Sequence, residues 1–154
     1  MPHTGAMHLA IELAAGRRDA LAQQLALARR QWTAAQQQLD QLDSYASEKT
    51  QRWAAQAGSC APEIMHHHYQ FMHRLVQAIA LQTGVVAEQA GHVARHAQAV
   101  REAEARVQVL QQLQAERDRE RLMLLQRREQ KQSDEMAAAL HRRRRDTGHA
   151  GALS

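Results

Sequence analysis

From Met7 onward, positions taken alternately four and three residues apart read Met7, Ile11, Ala14, Arg18, Leu21, Leu25, Ala28, Trp32, Ala35, Leu39, Leu42, Ala46, Lys49 and Trp53. Twelve of these fourteen are apolar. An apolar stripe of this period marks a helix that buries one face against another helix. Helices of globular domains average about 10–14 residues, so a stripe held for seven repeats predicts a coiled coil. A second stripe begins after the stretch Gly58 to Pro62, GSCAP: Met65, Tyr69, Met72, Val76, Ile79, Thr83, Val86, Ala90, Val93, Ala97, Val100, Glu104 and Val107, with eleven of thirteen apolar.

Gly58 suits the end of a first helix, and Pro62 with Glu63 suits the opening turn of a second, where a missing N–H is harmless and a carboxylate meets the positive end of the dipole. A five-residue break between two heptad helices predicts an antiparallel hairpin. The fold class is therefore all-α: a two-helix coiled-coil hairpin with a long C-terminal helical overhang. Its segments are a flexible N-terminus (1–6), a first helix (7–56), a turn (57–62), the paired part of a second helix (63–112), a basic helical overhang (113–141) and a flexible Arg-rich tail (142–154). Composition agrees, because 3% aromatic residues and two prolines favour long helices over a layered globule.

With the turn centred near residue 59 or 60, the numbers of facing residues sum to about 119. Trp32 then lies near Ala87, flanked by Gly84 and Gly91, whose small size would give the indole room. Arg18 and Glu104, charged exceptions in their stripes, fall within about one turn of each other and read as a register-fixing ion pair. The first arm, about 50 residues, spans roughly 75 Å, and the second, if helical to Leu140, roughly 120 Å. Met7 pairs near residue 112, so the residues beyond 112 have no partner within the chain.

That unpartnered stretch includes ERDRERLMLLQRREQKQSDE, Glu116 to Glu135, in which Leu122 to Leu125 stand consecutively among charges. Asp118 and Arg121, three apart, help it persist as a helix. Contiguous exposed apolar surface usually marks an interface, so another protein covers Leu122, Met123 and Leu125, unless the helix self-associates or tolerates the exposure. Charge is concentrated here too: residues 114–145 hold ten Arg or Lys against six Asp or Glu, and the whole net charge of +4 resides in them.

Other chemistries are weak. His66, His67, His68 and His73 cluster with Cys60, and His92 and His96 are four apart, a spacing that can hold zinc. However, three consecutive helical residues diverge by about 100° each, and the expectation is solvated histidines, no metal and no cofactor. The acidic residues sit as surface charges, and there is neither a phosphate loop nor a pocket to desolvate a nucleophile, so no catalytic residue is expected. HRRRRD, His141 to Asp146, raises nucleic-acid binding as an alternative. Interleaved acids and the absence of any aromatic beyond Phe71 argue against it, so nucleic acid is not the expected partner. A generic structural coiled-coil adaptor is the other alternative. The single Cys60 leaves no internal disulfide, and neither a leader nor an apolar run of about 18 residues is present, which predicts a soluble, cytoplasmic protein.

Near the turn, Ile64, His68, Phe71, Leu75, Ala78 and Gln82 form a second stripe, one residue off the Met65 stripe. Gln38 and Tyr45 flank Leu42 on the first helix. This is either a broad buried stripe or a further binding surface.

At these residues the chain resembles the FliJ family of the bacterial flagellar type III export apparatus. QQLDQLDSYASE matches the family's L-x-x-L-x-x-Y-x-x-E pattern through Leu39, Leu42, Tyr45 and Glu48. HYQFMHRLVQAIALQ matches Y-x-x-F-x-x-x-L-x-x-A-I through Phe71, Leu75, Ala78 and Ile79, and EQKQSDEMA matches Q-K-x-x-D-E through Gln130, Lys131, Asp134 and Glu135. Lys49 stands where the family commonly has an aromatic, and Tyr69 precedes Phe71 by two residues rather than three, leaving His68 in the usual place. The resemblance implies a non-enzymatic stalk whose chain ends enter the export ATPase ring. It implies a tip that meets the cytoplasmic domain of the export gate membrane protein, and an escort role toward substrate-specific export chaperones. The protein would then be peripheral to the inner membrane at the flagellar base, through its partners. The gate-facing positions are Gln38, Leu42, Tyr45, Phe71, Leu75 and Ala78. The ATPase-facing candidates are Arg117, Arg121, Leu122, Met123, Leu125, Arg127 and Arg128.

Overall fold

The computed structural model describes the backbone of residues 2–56 and 58–152 and the side chains of residues 5–56 and 58–148. Met1, Ala57, Leu153 and Ser154, which belong to the expected N-terminal, turn and tail segments, lie outside the described residues. Two helices, α1 (Pro2–Gln56, 55 residues) and α2 (Pro62–Ala152, 91 residues), pack against each other, with no strand among the described residues. Both outrun their sequence boundaries, because a stripe can end where helix propensity does not. Beyond Arg142 the helix continues, and Thr147 Oγ1 returns to the Arg143 and Arg144 carbonyls at 2.9 and 3.0 Å.

At the turn, the Gln56 carbonyl accepts from Ser59 N and Ser59 Oγ, both at 3.1 Å, and from Cys60 Sγ at 3.5 Å. These donors occupy a carbonyl that the helix end leaves unmet. Gly58 follows the end of α1 as expected, without a positive φ. On the far side, Pro62 takes the first helical position, and the Ala61 carbonyl receives Ile64 N and Met65 N, both at 3.1 Å.

Leu9–Val107 forms one compact unit. Its core is a single seam of Ala14, Leu25, Ala28 and Ala35 from α1 and Leu75, Val100, Ala103 and Val107 from α2. No described side chain is wholly sealed from solvent, because two helices supply one layer of contact and no second layer to cover it. The antiparallel register is the expected one. Gln82 Nε2 donates to the Ala35 carbonyl at 2.9 Å and to Gln38 Oε1 at 3.2 Å, Tyr45 meets Phe71, and Trp53 meets His68. All these pairs sum close to 119, as proximity to a turn at 59 or 60 requires.

Thirteen of the fourteen α1 seam residues are buried or half-buried, Trp32 alone being more exposed at 37%. On α2 the seam is half right. Met65, Met72, Ile79, Val86, Val93, Val100 and Val107 are covered, but their companions lie three residues on rather than four. His68, Leu75, Gln82, Gln89, His96, Ala103 and Leu110 are covered, while Tyr69, Val76, Thr83, Ala90 and Glu104 are exposed. Leu75, a member of the second stripe that the sequence left open between burial and binding, and a gate-facing candidate, is core at 7% exposure. Both flanks of α2 carry apolar residues, and polar Gln82, Gln89, His68 and His96 disguise the buried one.

Two finer expectations fail. Neither glycine houses Trp32: a Cβ at Gly84 would meet nothing within 4 Å, and one at Gly91 would meet only Arg95. Arg18 turns to its neighbour Asp19 at 3.1 Å, while Glu104 stands on the exposed flank. The shift of seam explains this, since it moves Glu104 out of the interface. An interhelical polar contact comes from half-buried Gln82, whose amide bonds to the other helix favour this register.

The other unit joins the chain up to His8 with residues from Gln108 on. Met7, Leu110 and Gln114 are half-buried there, and every residue from 115 to 138 is exposed. Coverage therefore ends at Gln114, two residues past 112, where the heptad argument ended it.

Candidate functional site

The expected site residues fall in two places, one near the turn and one on α2 beyond Gln114. In the hairpin, near the turn, aromatic side chains from both helices meet. Tyr45 and Phe71 make an edge-to-face pair with centroids 6.0 Å apart, and the Trp53 indole stacks on His68 at 3.9 Å with Tyr69 at its edge. Such pairs add about 0.5–1.5 kcal/mol each beyond area burial, which favours these ring orientations although Tyr45 and Phe71 remain 43% and 40% exposed. Lys49 Nζ lies 5.6 Å from the Tyr45 ring centroid, so a cation occupies the place of the usual aromatic and caps the ring by a cation–π contact.

Beside this cluster an open groove of about 480 Å³ is lined by Gln38, Gln41, Leu42, Tyr45 and Gln82. Of the six gate-facing candidates, three line this groove directly. Phe71 adjoins it through Tyr45, Ala78 is half-buried, and Leu75 is buried in the core. Leu75 is thus part of the core and not of the exposed face. Gln41 and Gln82 were missed or undervalued. Gln41 has no apolar signal, and the bond of Gln82 to a backbone carbonyl on the other helix leaves no trace in heptad spacing. The face offers apolar rings beside amide groups, a surface fit for protein contact.

On α2 beyond Gln114, Leu122, Met123, Leu124 and Leu125 are 52–57% exposed. Leu124, which is not among the ATPase-facing candidates, is as bare as the others. Arg117, Arg121, Arg127 and Arg128 are all exposed around them. Arg121 lies 4.0 Å from Asp118, as the spacing predicted. A shallow depression of about 300 Å³ between Glu120, Met123, Leu124 and Arg127 combines an apolar floor with charges of both signs.

The histidines are engaged locally: His68 with Trp53, His92 Nδ1 with Arg95 at 2.8 Å and its Nε2 3.8 Å from Glu88, and His73 with Gln77 at 3.4 Å. No group of three or more metal-donor side chains converges among the described residues. Among them, too, no helix is long and apolar enough to cross a membrane.

The family model described as Flagellar FliJ protein matches residues 6–146, nearly the whole chain. Comparison with curated proteins and with solved structures gives no match.

Proposed function

The chain belongs to the FliJ family, components of flagellar export, and on that premise we propose that it is a non-enzymatic stalk of the export apparatus. In this reading the exposed segment of α2 enters the export ATPase ring. Leu122, Met123 and Leu125 are its apolar anchors, and Arg117, Arg121, Arg127 and Arg128 meet acidic or polar groups around them. The observation that carries the reading is the exposure of these apolar residues by more than half, in a stretch where every residue from 115 to 138 is exposed. Interfaces of this type concentrate energy in a few buried anchors, while rim charges set rate and salt sensitivity.

The hairpin surface of Gln38, Leu42, Tyr45, Phe71 and Ala78, with Leu75 in the core, contacts the cytoplasmic domain of the export gate membrane protein. Escort of substrate-specific chaperones completes the role, in the cytoplasm at the flagellar base, with membrane association only through partners. Chaperone escort rests on family membership alone.

The test is a pull-down and ATPase assay with the cognate export ATPase, comparing wild type, Leu122→Ala/Leu125→Ala, and truncation after Gln114. Binding and stimulated hydrolysis lost in both variants support the stalk. Undiminished binding after truncation refutes the assignment, and salt-sensitive retention on DNA favours the nucleic-acid alternative instead.

A further inference from the structure

Beyond residue 114 the apolar residues of α2 regroup. Leu122, Gln126, Glu129, Ser133, Met136 and Leu140 recur at four and three residues, which on a helix places them within about 40° of one line. Leu125 and Ala137 border that line. Arg127, Arg128, Lys131, Asp134, Glu135 and Arg142 all fall on the reverse of the helix by the same spacing, and so does Leu124. This is a new heptad seam, one residue out of step with the hairpin's Val107, Leu110 and Gln114. Leu122, Leu125, Met136 and Leu140 are 53–68% exposed along it.

We infer that this seam pairs with the same seam of a second copy of the chain, antiparallel and centred on Lys131. The sequence of the seam is what selects the occupant. About Lys131, Leu122 falls opposite Leu140 of the other copy, Gln126 opposite Met136, and Glu129 opposite Ser133, whose hydroxyl can donate to the carboxylate. Asp118 falls beside Arg143 at each end. A parallel pair would instead set Glu129 against Glu129 and Asp118 against Asp118, and like charges facing across a seam are unfavourable. Seam positions Arg119 and Arg143, opposite each other in the antiparallel pair, confine it to Leu122–Leu140. Lys131 points outward at the centre and does not meet its counterpart.

Pairing over fewer than three heptads is weak and exchangeable, and it covers Leu122 and Leu125, two of the anchors proposed for the ATPase. Resting on that reading, self-pairing is a store from which the ATPase draws single chains. The pairing itself depends only on the seam.

The test is the mass of the full chain in solution without any partner, by sedimentation, from about 1 to about 100 µM, a range suited to weak association. The mass should rise from monomer toward dimer, and Met136→Lys/Leu140→Lys should stay monomeric with unchanged helicity by circular dichroism. Orientation is read in a Cys60→Ser background. Glu129→Cys mixed with Ser133→Cys should give an oxidised heterodimer in preference to either homodimer. A monomer at the highest concentration, a dimer that survives Met136→Lys/Leu140→Lys, or Glu129→Cys homodimers in preference would each overturn the inference. A monomeric chain that still binds the ATPase leaves the stalk reading intact, and a dimer that ignores the ATPase refutes only that reading.

Discussion

Leu75 and Val76 are adjacent, both aliphatic, and claimed by competing seams, so truncating each to alanine measures which flank of α2 holds the hairpin together. Leu75→Ala removes three carbons at about 0.8 kcal/mol each, and at 7% exposure nearly all of that burial is lost. The result is a destabilisation of about 2 kcal/mol. Little cavity energy should add to it, because a seam open to water on both sides can close over the gap. Val76→Ala removes two carbons from a side chain already 58% exposed, a loss of about 0.7 kcal/mol, and the better helix propensity of alanine returns roughly 0.5 kcal/mol. The net is near zero.

For a chain of this size 1 kcal/mol moves the thermal midpoint by about 2–4 °C. Melting monitored by circular dichroism should therefore show Leu75→Ala falling by about 4–8 °C and Val76→Ala within about 1 °C of the parent. Equal losses would mean that α2 rotates between two faces. A larger loss for Val76→Ala would refute the observed seam and restore the four-residue spacing.

Gln89 Oε1 is buried without a hydrogen-bond partner, so Gln89→Met should raise stability by about 1 kcal/mol in urea unfolding; a loss would mean that the amide is satisfied. Truncation after Gln114 removes residues exposed throughout 115–138, so the hairpin's melting midpoint should stay within about 2 °C, as expected when little packing is lost. Phe71→Ala, at 40% exposure and paired edge-on with Tyr45, should cost about 1–2 kcal/mol of stability and weaken gate-protein binding more than the deeper Leu75→Ala does; the reverse order would assign the binding surface elsewhere.

The α1 seam, the hairpin and its register were legible because each depends on spacing alone. Alternate fours and threes over seven repeats can be satisfied by only one helix face, and the turn then fixes which residues face one another. The α2 seam was half legible for a physical reason. Val76, Thr83 and Ala90 on one flank look better suited to burial than Gln82, Gln89 and His96 on the other, and hydrophobicity alone prefers them. The structure chooses the flank that brings Leu75, Ala103 and Leu110 with it, and Gln82 becomes tolerable there because its amide finds the Ala35 carbonyl and Gln38. A satisfied, half-buried amide loses little relative to water, and its partner is visible only once the helices are placed. The same shift undoes the Arg18 and Glu104 pair, which depended on the wrong flank.

The exposed end arises from a difference in length that no choice of register removes. α1 has 55 residues and α2 has 91, so 91 minus 55 leaves at least 36 residues of α2 with no counterpart. Gly, Pro and a run of small polar residues would end such a surplus in a chain with no use for it, since unpaired helix gains nothing from tertiary packing. Here the surplus keeps helix formers, local pairs such as Gln130 with Asp134 at 3.0 Å, and a seam of its own in a new phase. A phase change near residue 114 separates the two seams: the first is closed within the chain, and the second, turned about one residue from it, stands exposed at Leu122, Leu125, Met136 and Leu140, which is why the proposals above give it a partner outside the hairpin.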